Sequence, residues 1–132
     1  MEEIDKPWVR ITYLLPITRA DDRTAYLRVL NYLRSKHPRD DDSPTPEPTV
    51  VGFTFSQDDP PAFQGLWWSS AGHGWILDDL VLLFLDRPGS LGDSGVLSEA
   101  RTIKSQIERF YEEEGSPQTG GIWCTAQEIH LL

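Results

Sequence analysis

Ser69, Ser70, His73, Asp78 and Asp79 crowd one stretch of the chain and include every residue type of a nucleophile–base–acid triad. Triads normally converge from distant segments, and SAGHG, Ser70 to Gly74, reads as an exposed turn, so nucleophilic catalysis is not the expectation. Asp78 and Asp79 carry more interest, because they interrupt an otherwise apolar strand and alternation sends one to each face. A carboxylate entering a tryptophan-lined space is desolvated, which raises its pKa and suits it to general-base work. A catalytic site on this chain would therefore use Asp78, His73 and Arg10, beside Trp67 and Trp75. The plainer reading pairs both aspartates with arginine or water at the strand mouth and leaves His73 in its turn.

Other chemistries find less support. His37, His73 and His130 are far apart, and Cys124 has no neighbouring histidine, so no pair has zinc-ligand spacing. Asp40 to Asp42 lack the alternation and glycine of a calcium loop. Gly72-His73-Gly74 and the glycines between Gly89 and Gly95 match no phosphate-binding pattern. No metal and no cofactor are expected. Cys124, on an apolar strand face, reads as an inert core thiol and excludes an intramolecular disulfide. Glu112, Glu113 and Glu114 oppose the dipole at a helix C-terminus, so they need cations, expected from Arg19 and Arg23 across the helix pair. The alternative is a docking patch for a basic protein.

These residues must be held by a regular scaffold. Trp8 to Leu15 alternates as a strand, with Val9, Ile11 and Tyr13 on its apolar face, and Pro16 stops it. Asp21 or Asp22 can cap a helix through Lys36, with Tyr26, Val29, Leu30 and Leu33 as its buried stripe. RDDDSPTPEP, residues 39–48, reads as a Pro/Asp-rich surface loop within a single domain spanning 1–132. Val50 to Ser56 and Phe63 to Ser69 are extended segments separated by QDDPP. A long strand runs from Trp75 to Asp86. A second helix carries Val96, Ala100, Ile103, Ile107 and Phe110, has Asp93 or Ser94 as its cap, and stops at Gly115 and Pro117. Ile122 to Leu132 is the last strand, with Ile122, Cys124 and Ala126 on one face.

That order predicts an α+β fold, a ferredoxin-like sandwich with two helices on one face of a mainly antiparallel sheet. The sheet has four strands if 50–56 and 63–69 form one broken edge strand, and five if they are separate; the broken edge is preferred because edges tolerate proline. Leu80 to Leu85 is apolar on both faces, so the face away from the helices also needs a cover. Trp8, Trp67, Trp68, Trp75 and Trp123, with Val81 and Leu83, are the expected lining of that ligand site or interface. A second copy of the chain is the favoured cover; the 39–48 loop and a pocket for a small apolar ligand are the others.

The net charge of -9 is uneven: residues 40–132 hold sixteen acidic against four basic side chains. Such a surface repels nucleic acid. No apolar run approaches the roughly 18 residues of a membrane span, and MEEIDKPWVR lacks the pattern of a signal peptide, so a cytoplasmic protein with no membrane partner is expected. Together these features predict a non-enzymatic homodimeric binding or regulatory module. A cofactor-independent enzyme with a tryptophan-lined pocket and an acidic, immunity-type antagonist of a basic protein are the alternatives.

Overall fold

The computed structural model describes residues 7–36, 52–54, 63–69, 72, 74–130 and 132. Its elements are β1 (Trp8–Pro16), α1 (Ala20–Lys36), β2 (Gly52–Thr54), β3 (Phe63–Ser69), β4 (Gly74–Pro88), α2 (Ser94–Glu113) and β5 (Trp123–Ile129). The α+β class expected from the sequence is observed: antiparallel strands form a curled sheet, and two helices pack on it. β4 and β1 are neighbours, β5 lies beyond β1, and β2 and β3 both pair with β4. Leu80 is opposite Pro16 on one side and Phe63 on the other, and Asp86 is opposite Arg10 and Gly52. β2 and β3 therefore occupy one edge of β4, and β1 the other. The loop read at 39–48 lies outside the described residues, as does the break between 55 and 62.

Alternation puts the core on one face. Val9, Ile11, Tyr13 and Leu15 of β1 join Val81, Leu83 and Leu85 of β4 against Val29 and Leu33 of α1 and Ile103 and Ile107 of α2, all at most 2% exposed. This corrects the assignment of Val81 and Leu83 to an interface: both lie beneath the helices. The apolar run offers either face for burial, and the register with β1 decides, since Val81 is opposite Leu15 and Leu83 opposite Tyr13. The other face carries Trp8, Arg10, Thr12 and Leu14 of β1 and Leu82, Phe84 and Asp86 of β4, all half-buried.

The helix ends explain the acidic cluster. α2 stops in a Schellman turn, in which Ser116 N–H bonds Tyr111 O at 2.8 Å and Gly115 N–H bonds Glu112 O at 3.1 Å. Gly115 supplies the φ of 83° that this turn requires. The buried stripe of α2 ends on Tyr111 rather than the expected Phe110. Phe110 packs instead edge-on to Tyr32 and under the Arg28 guanidinium, 4.6 Å from its centroid. Arg28 forks to Glu113 at 2.8 Å and Glu114 at 2.9 Å, so the compensating cation is Arg28, not Arg19 or Arg23. Arg23 donates instead to the Ile17 carbonyl at 3.1 Å.

Candidate functional site

The candidate site follows from a mismatch in strand length. β4 has 15 residues and β1 has 9, paired over Leu80 to Pro88. Among the described residues the other end of β4, Gly74 to Asp79, pairs with β3 alone and extends past the sheet as a two-stranded ribbon. Pairing sets the faces of that ribbon: Leu66 is opposite Leu77 and Trp68 opposite Trp75, on the face away from Ile76 and Asp78. Among the described residues, apolar side chains on both faces are exposed. Leu66, Trp68, Trp75, Ile76 and Leu77 are 62%, 57%, 67%, 48% and 53% exposed. The Trp68 and Trp75 rings meet edge to face with centroids 5.5 Å apart.

The chain leaving β1 clamps the ribbon at its base. Ile17 N–H donates to Asp79 O at 2.8 Å, and Asp79 N–H donates to Thr18 Oγ1 at 2.9 Å. Thr18 Oγ1 donates in turn to Asp78 Oδ1 at 3.2 Å. Between the ribbon, the end of β1 and residues 117–123 lies an open cleft of about 820 Å³. Trp68, Ile76, Leu77, Leu14, Leu80 and Trp123 give it apolar walls, and Asp78, Arg19 and Asp22 add charge.

A buried polar network supports the cleft. Asp22, 2% exposed, accepts the Arg19 backbone N–H at 3.1 Å and the Ser116 hydroxyl. The Asp22 bond to its own helix's leading N–H is one half of a capping box. Ser116, fully buried, also accepts from Arg19 Nη2 and from Gln118 Nε2, the latter at 3.3 Å. Tyr111 donates its phenol to Pro16 O at 2.8 Å. Burial first, and the Asp22 charge second, raise the Tyr111 pKa, so this hydroxyl stays a neutral donor.

Of the catalytic grouping expected around Asp78, Arg10 is held elsewhere. Arg10 Nε and Nη2 grip Asp86 at 2.8 and 2.9 Å, and the guanidinium sits 4.7 Å from the Phe84 ring centroid. Asp86 lies eight residues along β4 from Asp78, a separation of about 26 Å at strand rise. Arg10 is thus a cross-strand anchor on the far half of the sheet, while Asp78 bonds Thr18. His73 and the Trp67 side chain lie outside what the structure describes. Trp68 and Trp123 do share the cleft, Trp75 abuts Trp68, and Trp8 lies half-buried at the opposite end of β1. Among the described residues, no three His, Cys, Asp or Glu side chains are grouped so as to hold a metal. Cys124 is half-buried, and burial raises its pKa. Leu66, Ile76 and Leu77 belong to the exposed patch but escape the sequence reading. Their signal is the consecutive Trp75-Ile76-Leu77, apolar on both faces before the sheet begins.

The chain matches no family model, and neither a curated protein nor a solved structure matches it. Function therefore has to be argued from the ribbon and cleft themselves. No helix among the described residues is long and apolar enough to cross a membrane.

Proposed function

We propose that the protein is a non-enzymatic homodimeric binding module, a ferredoxin-like sandwich with a split edge strand that presents its tryptophan-rich ribbon as the contact surface. The observation that carries this reading is the exposure of Leu66, Trp68, Trp75, Ile76 and Leu77 on both faces of one ribbon. At about 200 Å² per tryptophan side chain, the exposed parts of Trp68, Trp75 and Trp123 alone come to on the order of 400 Å². Apolar patches on this scale are often functional. The open face between β1 and β4 is less suited to the role, because it carries the Arg10–Asp86 ion pair. The lone, half-buried thiol of Cys124 suits a reducing cytoplasm.

Light scattering after size exclusion tests the proposal. The expected result is a mass near twice 15.0 kDa that holds on dilution. A mass of one chain at every concentration would overturn it. In that event the second reading, favoured by the Trp68–Trp123 cleft, is a small apolar ligand held beside Asp78, and ligand screening by tryptophan fluorescence checks it.

A further inference from the structure

We infer that two copies of the chain associate edge to edge through β3, in antiparallel register about Leu66, so that their sheets continue into one another. The inference rests on the homodimer reading above and specifies its geometry.

Three observations select this edge. Among the described residues β3 pairs with β4 alone, leaving its outer row of N–H and C=O groups without a ladder partner. Its sequence, FQGLWWS, contains neither the charge nor the proline that commonly discourage edge pairing. The other edges are shorter or carry such devices, β2 spanning only three residues. At β5, Glu108 Oε2 holds the Ile122 N–H at 2.7 Å, and Glu128 stands within the strand. On the β1 side of the ribbon, Ile17 and Thr18 already bond Asp79.

The strand is also self-complementary. Leu66 is its midpoint, so a two-fold axis there aligns all seven residues of each copy. Leu66 then lies opposite Leu66 of the second copy. Both copies present Leu66, Trp68, Trp75 and Leu77 on the same side of the joined ribbons, because paired residues share a face. Edge pairing brings Leu66 and Trp68 of the two copies together on one face, next to Trp75 and Leu77 of each β4.

Cysteine cross-linking in the full chain tests the register. In a Cys124→Ala background, Leu66→Cys is expected to give covalent dimer in high yield under mild oxidation. Ser69→Cys should give none, because its two copies would stand about 20 Å apart. Leu66→Lys, which charges the edge, should lower the mass from two chains to one with the far-ultraviolet circular dichroism unchanged. A dimeric wild type whose Leu66→Cys variant fails to cross-link, or a Leu66→Lys protein that stays dimeric, would overturn the edge geometry while leaving the homodimer standing. A monomeric wild type would overturn both.

Discussion

Replacing Asp22 with alanine probes how the cleft is held in place. Among the described residues its carboxylate is the acceptor for the Ser116 hydroxyl, and it also takes the Arg19 backbone N–H at the start of α1. Both Asp22 and Ser116 are at most 2% exposed, so water does not readily substitute. A hydrogen bond to a charged group contributes about 1.5–3 kcal/mol, and the buried hydroxyl left behind costs about 1–3 kcal/mol more, with overlap between the two. A carboxylate in the first turn adds about 0.3–1 kcal/mol through the helix dipole. The expected loss for Asp22→Ala is therefore about 3 kcal/mol, which at a urea slope of about 1–3 kcal/mol/M moves the midpoint down by roughly 1–3 M. Asp22→Asn keeps the shape and one acceptor oxygen, and should lose about half as much. Urea denaturation followed by circular dichroism reads both. A midpoint for Asp22→Ala within about 0.2 M of wild type would refute the claim that this network ties the start of α1 to the end of α2.

Two further outcomes test the assignment of faces and the buried phenols. Leu83→Ala should cost about 2–5 kcal/mol and Leu82→Ala less than half of that, because Leu83 is fully buried and Leu82 lies half-buried on the far face; equal costs in urea melts would contradict the face assignment. Tyr13 and Tyr111 have pKa values raised by burial above the ordinary 10.0, so the folded state keeps protons that the unfolded state releases. Their contribution is intact below about pH 10 and declines above it, at about 1.4 kcal/mol per pH unit for each phenol. Urea midpoints at about pH 9.5 and about pH 11.5, on either side of that ordinary value, should differ accordingly, and a flat profile would contradict the burial.

The parts of the fold legible in the sequence are those set by local pattern. Alternation in WVRITYLL, the helical recurrence of Val96, Ala100, Ile103 and Ile107, and Gly115 before Pro117 each give an element its type and limits. What escapes depends on partners distant in sequence. Ser116 meets Asp22 across 94 positions, and Arg28 meets Glu114 across 86. Helix antiparallelism alone points to Arg19 and Arg23, because it fixes which ends meet but not which side of α1 faces Glu113. Val81 and Leu83 are misassigned for a related reason. A run that is apolar on both faces contains no information about which one the helices cover, and only the pairing with Tyr13 and Leu15 supplies it.

The two ends of β4 differ in how far their side chains are satisfied within the chain. Where β4 pairs with β1, helices cover one face, and on the other Arg10 and Asp86 neutralise each other over Phe84. At the ribbon this balance fails. Six residues of β4, Gly74 to Asp79, run beyond β1, and the apolar side chains they share with β3 are left open to solvent. Extending a strand past its sheet lowers no energy within one chain, since a two-stranded ribbon is at best marginal alone. Its apolar composition becomes favourable only when another surface covers it. The overhang is thus the feature on which the proposed intermolecular contact rests.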